Sequence, residues 1–95
     1  MAAYVIATIE VTDPDLYAEY RAQVLPTIER HGGRFLVRGG ASEILEGSWR
    51  PSRVVVLEFP DSATARRWYR SEEYAPLAEL RQRASVGHLL LVEGA

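Results

Sequence analysis

Residues 45–60 read LEGSWRPSRVVVLEFP, and this stretch decides which fold the chain can adopt. Its second half, residues 54–59, is a run of β-branched and apolar residues that is interrupted only by Glu58. Such a run is typical of a central strand that is buried on both faces. The first half contains Gly47 and Pro51, which favour a turn. We therefore predict a hairpin whose loop spans residues 47–51 and whose second strand is the most apolar of the protein.

Three other segments have the composition of strands. Residues 4–11 form a nearly all-apolar, β-branched run. Residues 34–38 are a second candidate, and Gly39-Gly40 predicts a bulge after which residues 42–46 continue this strand up to the hairpin loop. The last candidate is residues 88–92, which begin at His88. The sequence therefore predicts four strands.

Helix signals lie between these strands. The first helix has Asp13 as its candidate N-cap and Pro14 at its first position, and its apolar residues recur every three or four positions to about residue 30 or 31. The second helix has Asp61 or Ser62 as its candidate cap and passes through Ala65, Trp68 and Tyr69. Pro76 divides the segment that follows into a turn and a further helix.

The order of these elements predicts one domain over residues 1–95 with an α+β fold. Two β-α-β halves in a chain of 95 residues give the split β-α-β, or ferredoxin-like, arrangement, in which helices cover one side of a four-stranded antiparallel sheet. The chain is too short for a second domain with its own core.

The strands themselves predict a homodimer. Helices cover only one face of the sheet, yet the first, third and fourth strands are apolar at both odd and even positions. An apolar sheet face of several hundred Å² is rarely left bare on a monomer. We therefore expect two copies of the chain to pack sheet against sheet, as in a dimeric α/β barrel.

Composition excludes several classes of function. The net charge of −2 and the absence of a basic cluster larger than Arg66-Arg67 or Arg81-Arg83 argue against a nucleic-acid-binding protein. The chain has no cysteine, which removes disulfides, thiolate metal sites and thiol nucleophiles. It shows neither a signal peptide nor an apolar run of the roughly 20 residues that a membrane helix needs, so we expect a cytoplasmic protein with no membrane partner.

No catalytic or cofactor motif stands on its own in this chain. The serines lack the surroundings of a nucleophile elbow, and Gly39-Gly40 does not open a helix as a phosphate-binding loop would. His31 and His88 are the only histidines, and without neighbouring carboxylates they are a weak metal signal. His31 lies at the end of the first helix, where capping explains it. We therefore expect no metal and no cofactor, and the catalytic residues, if any, stay unknown.

Arg38 and Glu58 are charged residues inside otherwise apolar strands. Burying a charge without a partner costs roughly several kcal/mol, so each residue should be paired or lie at a strand end. A hairpin centred on Trp49 would place the two side chains diagonally on one face, where they could form an ion pair. The alternative is that Arg38 binds a substrate carboxylate, because a guanidinium offers a fork of donors.

Five aromatic residues fall on the helical layer: Tyr17, Tyr20, Trp68, Tyr69 and Tyr74. One interpretation is that they fill the core between helices and sheet. The other is that they line a cleft that holds a flat small molecule, with Arg38 or Glu58 at its base and His31 as a further candidate. These eight residues are the candidate ligand-binding residues of the chain.

Several short motifs are spread over nearly the whole chain. They are Gly32-Gly33-Arg34-Phe35, Arg38-Gly39-Gly40, Leu45-Glu46-Gly47-x-Trp49-x-Pro51-x-Arg53, Glu58-Phe59-Pro60 and Trp68-Tyr69-x-Ser71-x-Glu73-Tyr74. With these motifs the chain resembles the bacterial domain of unknown function 1330 family. The resemblance implies the dimeric α+β barrel scaffold and no established activity. Relatives in the wider group include cofactor-free monooxygenases, haem-degrading enzymes and isomerases. Because these activities differ, the resemblance implies a common scaffold and no particular reaction.

Two functions are compatible with these observations. The first is a homodimer that binds a small organic molecule in a cleft between helices and sheet, and that transforms it without a cofactor if it is an enzyme. The second is a non-enzymatic dimer that serves as an accessory or interaction module. A concave site holding the charged and aromatic candidates would favour the first, and a closed core in which they satisfy one another would favour the second.

Overall fold

The computed structural model describes all 95 residues and contains four strands and three helices. In chain order they are β1 (Ala3–Val11), α1 (Pro14–Glu29), β2 (Arg34–Arg38), β3 (Arg53–Phe59), α2 (Ser62–Tyr69), α3 (Ala75–Ala84) and β4 (Ser85–Glu93). This order confirms the predicted α+β fold, including the division of the last helical segment at Pro76. None of the helices combines the length and the apolar character needed to cross a membrane.

The four strands form one antiparallel sheet in the order β2-β3-β1-β4. β1 is hydrogen-bonded on both sides, to β3 and to β4. Because successive side chains of a strand point to opposite faces, the odd residues of β1 all lie on one face. Four of those five residues are buried under the helices, namely Ala3, Val5, Ala7 and Ile9, and Val11 is partly buried. We call this the inner face and the opposite one the outer face.

The first two helices begin at the residues that the sequence indicates. The Asp13 carboxylate accepts a hydrogen bond from the Leu16 backbone N–H at 3.1 Å and caps α1. The Asp61 carboxylate accepts one from the Thr64 N–H at 2.7 Å and caps α2. Hydrogen bonds from Thr64 lower the pKa of Asp61, because they favour its charged form.

The core under the helices is built from aromatic rings. Trp68 is fully buried, with its ring centroid 4.1 Å from that of Tyr74 and 5.3 Å from that of Phe59. Its indole Nε1–H donates to Thr27 Oγ1 at 3.0 Å, which ties α2 to α1 and satisfies the polar atom of the ring. Truncating a ring in such a place to alanine costs about 3–5 kcal/mol.

The outer face carries no helix and exposes apolar side chains. Val86 and Leu90 of β4 are 63% and 60% exposed, and Val37 and Val92 are exposed too. Ile6, Val54 and Val56 at its centre are only half-buried. In the single chain β3 is therefore buried on one face, whereas the sequence predicts burial on both.

β2 and β3 pair in antiparallel fashion as the hairpin predicts, but the predicted loop at residues 47–51 and the continuation of β2 over residues 42–46 are wrong. β2 ends at Arg38, and residues 39–52 form a long connection without strand structure. β3 does not extend backward beyond Arg53 to pair with residues 42–46, and Pro51, just before it, has no N–H for such a ladder. Without a partner strand the apolar residues of the connection stay in solvent, as Leu45 does at 85% exposure. β4 is longer than predicted and begins at Ser85 rather than His88.

The bulge in β2 lies three residues earlier than predicted. Arg34 and Phe35 pair with Glu58 and Leu57, but Val37 pairs with Val56, so that Leu36 is the extra residue. A bulge of this kind reverses which face the following side chains occupy. Arg34 therefore lies on the outer face with Glu58, whereas Arg38 lies opposite Val55 on the inner face.

This register makes the predicted pairing of Arg38 with Glu58 wrong. Glu58 instead accepts a hydrogen bond from Arg34 Nε at 2.8 Å, and the two groups form an ion pair on the outer face. The Arg34 side chain is 70% exposed, so solvent screens the pair.

We expect a double-mutant cycle of Arg34→Gln and Glu58→Gln to give a coupling of about 0.2–1 kcal/mol in chemical unfolding, the range of exposed ion pairs. The control cycle combines Arg38→Gln with Glu58→Gln and should be additive, because the sheet separates the two side chains. A larger coupling in the control cycle than in the first would contradict the register described above.

Candidate functional site

The inner face of the sheet and the helices enclose a cavity next to the core. Four of the predicted aromatic residues line it: Tyr17, Tyr20, Trp68 and Tyr74. Four arginines line it as well: Arg21, Arg38, Arg53 and Arg81. The structure thus brings Arg38 together with four of the five predicted rings in one place.

The rings reach the cavity because of their helical spacing. Tyr17 and Tyr20 are three residues apart on the buried face of α1, and their centroids lie 5.6 Å apart. Tyr74, just before α3, meets Tyr20 edge to face with centroids 6.4 Å apart. The two phenol oxygens of Tyr20 and Tyr74 are hydrogen-bonded at 2.9 Å and buried.

The charges around the cavity are all of one sign. All 11 basic residues of the chain are arginines, and four of them line this cavity. None of the 13 aspartates and glutamates does. The two ion pairs of the molecule, Arg30 with Glu73 and Arg34 with Glu58, use other arginines. The cavity is therefore a local concentration of positive charge in a protein whose net charge is −2.

Arg53 comes from the first position of β3, opposite Ile9, and so points to the inner face. Its guanidinium carbon lies 5.6 Å from the centroid of the Tyr17 ring. The Arg53 Nε atom is buried and has no hydrogen-bond partner. Gly39, whose φ is +72°, leaves room for this guanidinium, since a Cβ at that position would overlap it. A buried donor without an acceptor marks a place that an added acceptor would stabilise.

Arg38 lies beside Arg53 at the half-buried side of the cavity. Its Nη2 donates to the Arg21 carbonyl at 2.9 Å, and its guanidinium stacks on Phe35 at 4.2 Å from the ring centroid. Burial lowers the pKa of Arg38, and the neighbouring charges of Arg21 and Arg53 lower it further. Each of these effects disfavours the positive charge, and a bound anion would offset the repulsion from Arg21 and Arg53.

Arg81 is the most buried of the four arginines, with only 6% of its surface exposed. Its Nε donates to the Tyr74 phenol oxygen at 3.4 Å. Burial acts to lower the pKa of Arg81, but the nearby phenol oxygens of Tyr74 and Tyr20 outweigh burial, and the pKa is raised. Burial also raises the pKa of Tyr20, and its hydrogen-bonded neighbour Tyr74 adds to that effect. At neutral pH this end of the cavity therefore holds the neutral Tyr20 phenol and the charged Arg81 guanidinium.

The space inside the cavity is small in the free protein. The centres of water-sized molecules can reach about 30 Å³ of it. That space suits water but not a ring-containing molecule. A larger ligand therefore requires side chains to move, and the long side chains of Arg38 and Arg53 on its half-buried side are the ones with the most rotatable bonds.

The other predicted site residues lie elsewhere. Glu58 is on the outer face with Arg34. His31 follows α1, and its Nδ1 is 2.9 Å from the Thr27 carbonyl, a capping contact. Tyr69 is exposed in a separate groove of about 320 Å³ between α2 and β4, beside Arg66 and Arg70. No group of three or more His, Asp or Glu side chains could hold a metal ion.

Sequence reasoning missed Arg53 and Arg81 as cavity residues, although both carry a signal. Arg53 has the same parity along β3 as the buried Leu57 and Phe59. Arg81 follows Leu77 by four residues and precedes Ala84 by three, so it occupies a core position of α3. Arg53 and Arg81 could have been identified because each is a charged residue at a position where the pattern of its strand or helix predicts an apolar one.

These features define a ferredoxin-like α+β protein whose helix–sheet cavity is aromatic and rich in arginine. The family model for domain of unknown function 1330 (DUF1330) matches residues 2–95. The chain therefore belongs to this family, as the motifs in its sequence indicate. Among curated proteins, none matches the chain significantly.

Solved structures share the fold at low sequence identity. A protein of unknown function from Rhodopseudomonas palustris has 22% identity and a TM-score of 0.76, with 99% of this chain and 82% of that chain covered. SnoaB, a cofactor-independent oxygenase from Streptomyces nogalater, has 16% identity and a TM-score of 0.65, covering 99% and 92%. An uncharacterised NIPSNAP domain protein from Burkholderia xenovorans has 14% identity and a TM-score of 0.60, covering 100% and 95%. These similarities establish the fold.

The Tyr20 hydroxyl gives the site a signature at high pH. Its folded-state pKa is raised above the ordinary value of 10.0, so folding opposes its ionisation. The sign follows from linkage: the stability is complete below pH 10 and falls as the pH rises above 10, where the unfolded chain ionises first. Tyr20→Phe should reduce this alkaline loss of stability, measured as the urea midpoint between pH 8 and pH 11. The exposed Tyr69→Phe is the control and should leave the loss unchanged, and equal behaviour of the two variants would contradict the buried position of Tyr20.

Proposed function

We propose that the protein is a small cytoplasmic homodimer that binds a small organic carboxylate in the cavity between helices and sheet. The observation that carries this proposal is the set of four arginines around an aromatic cavity without a single acidic residue. A protein that used these arginines only for stability would be expected to pair them with its own carboxylates.

The chemistry of the lining fits such a ligand. A guanidinium presents planar, paired donors that match a carboxylate, and hydrogen bonds to charged groups contribute about 1.5–3 kcal/mol each. The tyrosine and tryptophan rings fit a flat apolar body. The Arg53 Nε, buried without a partner, would gain an acceptor when the carboxylate binds.

The alternative is a non-enzymatic dimer that serves as an accessory or interaction module. The small volume of the cavity supports it, because no ring-sized ligand fits without rearrangement. Binding of carboxylates separates the two functions. Turnover of a bound carboxylate without a cofactor would go further and make the protein an enzyme, a reading supported by the shared fold of the cofactor-independent oxygenase SnoaB.

Benzoate and benzamide test the proposal, because they have nearly the same shape and differ in charge. We expect benzoate to raise the melting temperature in a concentration-dependent way and benzamide to have little effect. In the Trp49→Phe variant the buried Trp68 is the only indole, and its fluorescence should change with benzoate alone. If neither this acid nor a broader set of aromatic and aliphatic carboxylates changes stability or fluorescence, the accessory role is favoured.

A pair of glycine variants tests the Arg53 position. Gly39 and Gly47 both have φ near +70° to +85°, but only at Gly39 would a methyl group meet the Arg53 guanidinium. Gly39→Ala and Gly47→Ala should each lose about 1–2 kcal/mol of stability from backbone strain. Only Gly39→Ala should also weaken carboxylate binding, measured by calorimetry. Equal affinity in the two variants would remove Arg53 from the binding site.

The homodimer is supported by the apolar outer face. The domain is a slab of 35 × 34 × 16 Å, and a face of this width can offer the roughly 800 Å² per partner of a standard interface. A second copy presents the same apolar side chains, so that a two-fold axis would cover both faces at once. Dimerisation would leave the carboxylate cavity on the helical side free.

Light scattering after size-exclusion chromatography should give about twice the chain mass of 10.7 kDa. Leu90→Lys on the outer face should yield monomers, because it would bury a charge in the interface. Leu25→Lys, which changes an exposed leucine of α1, is the control and should stay dimeric. A folded wild-type monomer at micromolar concentration would refute the dimer.

A further inference from the structure

The inner end of the cavity contains donors that one carboxylate at Arg38 and Arg53 leaves without acceptors. Only 6% of the surface of Arg81 is exposed, yet this residue forms no ion pair. Its only hydrogen bond is the long one from Nε to the Tyr74 phenol oxygen. Its two terminal nitrogens are hydrogen-bonded to no acceptor of the chain. A guanidinium in this position calls for a negative partner, because burying an uncompensated charge is costly.

The two phenols beside Arg81 add one more free donor. The Tyr74 oxygen accepts from Arg81, and a single hydrogen bond joins Tyr74 and Tyr20. Whichever of the two phenols donates in that bond, the hydroxyl hydrogen of the other has no acceptor in the protein. The inner end therefore offers a guanidinium and one phenol hydrogen, and no carboxylate. A carboxylate complements these donors, because it has only hydrogen-bond acceptors and carries a negative charge.

The two arginine positions contact different rings of one connected series. The Arg53 guanidinium stands over Tyr17, whose centroid is 5.6 Å from that of Tyr20, and Tyr20 is 6.4 Å from Tyr74, which Arg81 contacts. No single ring of this series contacts both guanidiniums, so the two arginine positions are separate binding points.

Building on the proposed carboxylate-binding function, we infer that the ligand is a dicarboxylate, with one carboxylate at Arg38 and Arg53 and the other at Arg81 and the Tyr20–Tyr74 pair. Its middle is apolar, since tyrosine rings and apolar side chains line the cavity between the two ends. Two negative groups also balance the four positive charges of the lining better than one does.

A charge series of constant shape tests this inference. Benzene-1,4-dicarboxylate, its half amide and its diamide carry two, one and no negative charges on the same ring. We expect calorimetry on the wild-type protein to give at least about tenfold tighter binding of the dicarboxylate than of the half amide, from one added charged hydrogen-bond group. The diamide should not bind. Succinate, glutarate and adipate with their half amides extend the test to other spacings between the carboxylates.

Variants locate the second carboxylate. Arg81→Gln should reduce the affinity ratio of dicarboxylate to half amide to about one, and Tyr74→Phe should reduce it in part. If Arg81→Gln does not fold, the wild-type series decides alone. A half amide that binds as tightly as its dicarboxylate throughout both series overturns the dicarboxylate and leaves the carboxylate proposal standing. Failure of every acid in the series to bind overturns both.

Discussion

A single layer of helices covers one face of a sheet that is apolar on both, and the rest of the molecule follows from this constraint. The covered face holds the aromatic core around Trp68, whose indole is tied to Thr27 across the helical layer. The other face keeps Val86 and Leu90 in solvent in the single chain. The two faces therefore have separate roles: one supplies the stability of the subunit and the cavity, and the other is available for a second copy.

One extra residue in β2 connects the fold to the cavity. Without the bulge at Leu36, Arg34 and Arg38 would share a face, because they are four residues apart in a strand. With it, Arg34 pairs with Glu58 on the outer face, whereas Arg38 joins Arg53 on the inner face without a carboxylate. The bulge thus separates two arginines that would otherwise compete for the same acid, and it leaves one of them free for a ligand.

Local patterns in the sequence suffice to predict the elements, but not how the strands of the edge hairpin pair. The caps Asp13 and Asp61 and the spacing of Tyr17 and Tyr20 are local features, and the structure reproduces them. The position of the bulge depends on hydrogen bonds between β2 and β3, so the glycines after Arg38 suggested the wrong place for it. The assumed hairpin centre at Trp49 gave the wrong partner for Glu58. Arg53 and Arg81 were missed because helix and strand patterns identify core positions by apolar residues, and these two positions hold charges.

The cost of those charges is the reason to assign them a role. Leu77 and Ala84 flank Arg81 on the buried side of α3, and a leucine or methionine at position 81 would fill the same space without a charge to desolvate. Replacing buried ionic groups with apolar side chains of similar volume is often neutral or stabilising. The stability of the free subunit therefore does not account for an arginine at this position, which lies next to two buried phenols and forms no ion pair with a carboxylate of the chain. An interaction with a molecule that supplies the missing negative charge does account for it, and the same reasoning applies to the unpartnered Nε of Arg53.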